Sequence, residues 1–162
     1  MFELELAYVW RSLRRLGVAE RDVEDLAHEV FLAVHGALHQ YDPARPIRPW
    51  LFAFCFRVAS HYRRKARREV IDETTAELED FSEGADALVD RERQRRLVLL
   101  ALDGVDLERR AVFVLHELDG VACEQIARTL EIPVGTVYSR LRVAREEFAA
   151  KVKRLQASRR AS

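Results

Sequence analysis

Apolar positions along this chain recur at spacings of three and four, and strand-like alternation is absent. That period belongs to helices lying on a core, because a half-buried strand would repeat every second residue. Leu6, Val9, Trp10, Leu13 and Leu16 make a first amphipathic stripe, stopped by Gly17. Val23, Leu26, Ala27, Val30, Val34 and Leu38 make a second, with Asp22 as its expected N-cap. A proline-rich loop, Tyr41 to Trp50, leads into a long third helix expected over about 49–68, with Leu51, Phe54, Cys55, Val58 and Tyr62 inward. From about Glu69 to Asp90 large apolar side chains are few, and Gly84 among many acids suggests a flexible tether. Helical periodicity resumes near Arg91. Leu97, Leu100 and Ala101 precede an Asp103-Gly104 turn; Ala111, Val112, Leu115 and Leu118 follow it, up to Asp119-Gly120.

The segment from Val121 to Arg142 reads as two helices joined by a tight turn. Ile126, Ala127 and Leu130 give the first an apolar stripe. Glu131-Ile132-Pro133 breaks it, since proline cannot continue a helix and disfavours helical geometry in its predecessor. Pro133 then suits the start of the second helix, whose inward stripe is Val137, Leu141, Ala144 and Phe148. Thr136, Ser139 and Arg140 are left outside near its N-terminus. A helix-turn-helix reads DNA with such a face, using arginine for guanine edges and small hydroxyls for bases or phosphates. A helical hairpin with a solvated polar face is the plainer alternative.

The formal net charge is zero, which argues against a polyanion partner until the charge is mapped. Residues 57–68 hold six bases and no acid, residues 72–90 hold eight acids and no base, and the chain is basic again from Arg140. Two basic surfaces separated by an acidic connector can grip a polyanion at two places. Cys55 and Cys123 lie far apart in apolar helical contexts, which suits buried thiols and gives neither a disulfide framework nor zinc spacing. The five histidines do not cluster, and the His35/His39 pair alone is weak evidence for a metal. No phosphate loop, nucleophile elbow or carboxylate pair is evident, so no catalytic residue, metal or cofactor is expected. Acids where a signal peptide would carry bases, and no membrane-spanning apolar run, lead to a cytoplasmic protein as the expectation.

Two further surfaces carry candidate chemistry. Asp25, His28, Glu29 and Leu32 share the outer side of the second helix, with Phe31 beside them. An acidic patch with an apolar residue suits a partner's basic helix; a merely solvated face has the same periodicity. On the third helix Trp50, Arg57, His61, Arg64 and Arg68 trace one line, next to a loop bearing Tyr41, Arg45 and Arg48. Aromatics beside a basic stripe suit single-stranded DNA, because bases stack on rings while arginines hold phosphates. Trp50 as a core residue is the competing reading.

With these segments in order, the chain resembles the extracytoplasmic-function (ECF) sigma factors of bacterial RNA polymerase. Asp22-Val-Glu-Asp-Leu-Ala-His-Glu-Val-Phe-Leu32 resembles their core-binding motif. Pro46-Ile-Arg-Pro-Trp-Leu-Phe52 resembles the entrance to their promoter-melting helix, and Ile132-Pro-Val-Gly-Thr-Val-Tyr-Ser-Arg-Leu-Arg142 their upstream-element reader. The resemblance covers nearly the whole chain. It implies an all-α protein of two small helical domains joined by an acidic flexible linker, the C-terminal one a helix-turn-helix. Residues 1–69 would bind core polymerase and melt the minus-ten element, 70–92 would be the linker near the polymerase active centre, and 93–162 would recognise the minus-thirty-five element. By the same resemblance, Asp25, His28, Glu29, Phe31 and Leu32 meet the core enzyme. Tyr41, Arg48, Trp50, Arg57, His61 and Arg64 serve the minus-ten element. Thr136, Tyr138, Ser139, Arg140, Arg142 and Arg145 serve the upstream element. Arg57 stands where the family often has Asn and Ser60 where it has Asp, so minus-ten base selection is expected to differ; His28 stands where Gln is common and Tyr138 where Lys is.

The expected function is therefore promoter-specific transcription initiation, without catalysis of its own. The partners are core RNA polymerase, promoter DNA and an anti-sigma factor, and the protein is a monomer. A plain helix-turn-helix regulator of duplex operators is the alternative; it would need a dimer interface and no acidic patch. A pure interaction protein would not need the Thr136/Ser139/Arg140 face.

Overall fold

The first helix is built by its apolar stripe and ended by its turn. In the computed structural model, which describes residues 2–69 and 87–161, α1 spans Phe2–Arg15 and buries Tyr8, Val9, Leu13 and the following Leu16. Gly17 then adopts φ +94, a left-handed conformation that side chains resist. Gly17 N–H donates to Arg14 O at 3.0 Å and Val18 N–H to Leu13 O at 3.0 Å, the paired bonds of a Schellman stop. Val18 and Leu13 are both fully buried beneath it. Trp10, expected on the inward stripe, is 37% exposed; Tyr8 and Ser12 are buried instead.

Helix α2 (Glu20–Gly36) buries Val23, Ala27, Val30 and Val34. Its N-cap is Ala19, and Asp22 is not a cap. Asp22 instead accepts the Tyr62 hydroxyl at 2.7 Å, tying the start of α2 to α3. The helix ends at Gly36, so Leu38 falls in a 3-10 turn (Leu38–Gln40) and is exposed rather than core. Helix α3 (Ile47–Glu69) packs on both α1 and α2. It accordingly buries more than one stripe: Leu51, Phe52, Phe54, Cys55 and Ala59.

The second unit surrounds the long helix α7 (Val134–Arg160) with α4 (Ala87–Leu102), α5 (Leu107–Phe113) and α6 (Cys123–Leu130). The expected start near Arg91 is thus corrected to Ala87, so residues 87–92, assigned to the linker, are helical. The remainder of that assignment, 70–86, lies outside the described residues. A π-helical turn (Val114–Leu118) leads from α5 towards α6, and Leu118 is exposed where the stripe expected it inside. The core expected for the helix-turn-helix is present: Ile126, Val137, Leu141 and Ala144 are buried, and Phe148 lies on Phe113 with ring centroids 4.7 Å apart. Arg110 is wholly buried there. Its Nε and Nη2 donate to Val105 O at 3.2 and 2.9 Å, and Nη1 lies 3.6 Å from Asp103. Burial, and then the neighbouring Arg63, pull its pKa down to about 10.

The two units touch. α3 meets α6 and α1 meets α4. Asp119 accepts hydrogen bonds from Tyr8 Oη at 2.8 Å and Arg15 Nη1 at 3.2 Å.

Candidate nucleic-acid interface

The start of α3 gathers an aromatic cluster with cations around it. Asp42 accepts the Ala44 N–H at 3.0 Å and Tyr41 Oη donates to Arg45 O at 2.7 Å, which folds the proline-rich loop back on itself. That fold sets the Tyr41 ring 4.9 Å from Trp50, and Trp50 meets Phe54 edge-on at 4.9 Å. Arg57 lies over the Phe54 ring at 4.6 Å, held by cation–π attraction. Trp50 is half-buried and lines the cleft beside these rings. Such a group offers a stacking face with a guanidinium within phosphate reach.

Tyr41, Trp50 and Arg57 line one cleft of about 880 Å³, together with Arg45, Phe56 and, from α6, Arg128. His61 and Arg64 continue along α3 and are exposed. Arg48 does not join them. It turns to α1, 5.2 Å above the Tyr8 ring and 3.7 Å from Glu5, because its place one residue after Ile47 faces the other side of the helix from Tyr41. Phe54, read from the sequence as core, is the member of the cluster that stripe reasoning set aside. It links Trp50 to Arg57 at helical spacing, and that spacing was the available signal.

On α2 the side chains of Asp25, His28, Glu29 and Leu32 are exposed, Leu32 by 60%. Phe31 differs: it is half-buried and packs on the core, so it supports that face from beneath.

The helix-turn-helix turn is made by Glu131 at φ 56, with Ile132 N–H donating to Ala127 O at 3.0 Å. Pro133 is the N-cap of α7 and fixes the direction in which the helix leaves. Of the expected readers, Tyr138 is 53% exposed and donates to Glu124 Oε1 at 3.2 Å, which raises its pKa. Ser139 Oγ donates to Thr136 O at 3.1 Å. Arg140 pairs with Glu108 at 3.4 Å, Arg142 with Glu146 at 3.5 Å, and Arg145 with Glu117. These pairs are at the surface, where each is worth roughly 0–1 kcal/mol. A phosphate or base edge can displace the carboxylates at little cost.

Comparison with known proteins now bears on this geometry. Residues 1–69 match the family Sigma-70 region 2, and residues 95–148 match Sigma-70, region 4. The chain is 30% identical over 148 residues to the ECF RNA polymerase sigma-E factor of Escherichia coli, covering 85% of this chain and 78% of that protein. This chain belongs to the ECF sigma factors.

A shorter stretch of 42 residues is 43% identical to the RNA polymerase sigma factor CnrH of Cupriavidus metallidurans, covering 26% of this chain and 22% of that protein. CnrH bound to the cytosolic domain of CnrY superposes with a TM-score of 0.60 at 28% identity, over 89% of this chain and 79% of that one. The sigma factor RpoE of Bartonella quintana, solved with the anti-sigma factor NepR, shares the fold with a TM-score of 0.65 at 23% identity, over 94% and 96% of the two chains. ECF sigma factors are initiation factors, not enzymes, and this chain is a sigma factor of that kind. Among the described residues, no helix is long and apolar enough to cross a membrane.

Proposed function

We propose that this sigma factor binds core RNA polymerase through its first unit and directs the enzyme to promoters through both units. The observation that carries the reading is the presence on one chain of two different DNA-type surfaces. The Tyr41/Trp50/Arg57 cluster suits unpaired bases, and the α7 face suits a duplex groove. An operator-binding regulator has use for the second surface alone.

In this reading residues 1–69 form the polymerase-binding and minus-ten domain, 70–86 the linker, and 87–162, which begin with α4, the minus-thirty-five domain. The exposed Asp25, His28, Glu29 and Leu32 meet the core enzyme, with Phe31 behind them. Tyr41, Trp50 and Arg57 hold the opened strand, His61 and Arg64 extend its phosphate path, and Arg48 fixes the loop against α1. Thr136, Tyr138, Ser139, Arg140, Arg142 and Arg145 serve the upstream element. The protein works in the cytoplasm, as a monomer, with an anti-sigma factor as its inhibitor. The solved relatives with CnrY and NepR support that last partner.

Binding to purified core polymerase tests the assignment. Reversing the patch with Asp25→Lys and Glu29→Lys is expected to weaken binding by about tenfold or more, since like charge then faces the partner. The helical circular dichroism should not change. Wild-type affinity in the double variant would remove α2 from the interface. No core binding by the unaltered chain would favour the operator-binding regulator.

A further inference from the structure

The outer face of α7 is not a bare basic surface. The helix has no acid in its own first turn, yet carboxylates from three other elements reach its proposed readers. Glu108, in the first turn of α5, pairs with Arg140 at 3.4 Å. Glu117, in the π-helical turn, accepts the Arg145 Nε–H. Glu124, in the first turn of α6, accepts the Tyr138 hydroxyl at 3.2 Å. Packing does not require these acids. The side chains of Glu108 and Glu117 are 63% and 34% exposed, and the buried side of α7 is the apolar set Val137, Leu141 and Ala144. Nor are the pairs a by-product of helical spacing, as the Arg142–Glu146 pair is; Glu117 and Arg145 stand 28 residues apart.

We propose that Glu108 and Glu117 are specificity-determining residues of this face: they screen Arg140 and Arg145 from phosphate, so that duplexes of unrelated sequence bind weakly and a matching sequence is favoured. The inference rests on the reading of α7 as the duplex reader. A sequence-independent complex is held almost entirely by the attraction of basic side chains for phosphates. A carboxylate paired with each arginine lies well inside the Debye length of about 8 Å at physiological salt, so an approaching backbone meets a nearly neutral pair instead of a free cation. A matching sequence offers more than charge. A guanine edge takes Arg140 through two hydrogen bonds in fixed geometry, and the exposed Glu108 side chain then turns out to solvent. The screen therefore weighs on the loose complex and is set aside in the tight one. Discrimination is a difference of two affinities, and lowering the wrong one raises it as well as improving the right one.

The experiment uses the full chain and the double variant Glu108→Gln/Glu117→Gln, which keeps side-chain size and a hydrogen-bond acceptor but removes both charges. A second double variant, Glu3→Gln/Glu20→Gln, makes the same change in net charge at exposed positions of the first unit. Fluorescence anisotropy over a range of salt concentrations reads binding to a labelled mixed-sequence duplex and to a duplex that the unaltered chain enriches from a randomised library. Glu108→Gln/Glu117→Gln should tighten mixed-sequence binding by about fivefold or more and steepen its salt dependence by about one unit of slope per freed arginine. Binding to the enriched duplex should stay within about twofold, and Glu3→Gln/Glu20→Gln should move neither duplex beyond that. Unchanged mixed-sequence affinity overturns the screen, as does equal tightening on both duplexes or in both double variants. Weaker binding to both duplexes would make the two acids holders of the arginines and also overturns it. Failure of the unaltered chain to enrich any sequence would instead contradict the reading of α7, while the mixed-sequence arm would still read the screen.

Discussion

Glu131 carries the turn of the helix-turn-helix in a conformation that an L side chain pays for. Its φ of 56 puts Cβ against the following carbonyl, at a cost of roughly 1–2 kcal/mol. Glu131→Gly should therefore raise stability by up to about 1 kcal/mol, net of the added freedom of the unfolded chain, whereas a β-branched Glu131→Val should lower it by at least that much. Urea unfolding of the two variants checks the pair; equal midpoints would mean that the turn relaxes at no cost. Cys55 makes a second residue-scale statement. Burial pushes its thiol up to about 12 from an ordinary 9.0. A raised folded value means that the stabilisation is complete below about pH 9 and drains away as the pH climbs towards 12, because the unfolded thiol ionises first. Between pH 9 and 10 that amounts to about 1 kcal/mol. Arg110 opposes it only above about 10, where its own lowered pKa begins to act. Cys55→Ala should lose stability at neutral pH through its small cavity yet show a flatter decline over pH 9–10. Parallel declines in the two proteins would contradict the assignment.

Among the elements, α7 is the one to which the proposed function gives sequence choice. Arg140 lies one turn into the helix, flanking the buried Val137 and Leu141 with its side chain 28% exposed, and its Glu108 partner is exchangeable. Arg140→Ala should relax preference at one or two upstream positions by roughly 1–3 kcal/mol, whereas Arg142→Ala should weaken all sequences alike and reduce the salt slope. Selection from a randomised duplex library at two salt concentrations separates the two outcomes; a uniform loss for Arg140→Ala would make it a phosphate contact. The helices themselves were legible because each buries one face, and Val23, Ala27, Val30 and Val34 repeat on that face at helical spacing. Legibility failed wherever a helix met a second neighbour. Tyr8 and Ser12 are buried and Trp10 is exposed because α1 also meets the other unit, which a single-stripe reading cannot represent. Asp22 looked like a cap because caps are acidic, but Tyr62, forty residues on, takes its carboxylate. Arg48 looked like part of the strand surface because it neighbours Trp50 in sequence, yet Glu5 and Tyr8 hold it on α1. Phe54 was read as core, and the packing shows that a core ring can also carry a cation on its edge of the site.

The whole molecule explains how a chain of zero net charge can be a DNA-binding protein. The bases are concentrated on α3 and α7, and the exposed face of α2 carries Asp25 and Glu29. Opposite signs on separate surfaces allow one molecule to meet a basic protein surface and a polyanion together. The matches to sigma-70 region 2 and region 4 fall on the first and the second unit in that order. The most direct measurement is run-off transcription from a genomic promoter pool, with purified core polymerase in the presence and absence of this chain. Discrete transcripts should appear only when the chain is present, and their start sites should share two upstream sequence blocks, one at each element. Core polymerase that binds the chain yet gives no start-site-specific transcript would contradict the account.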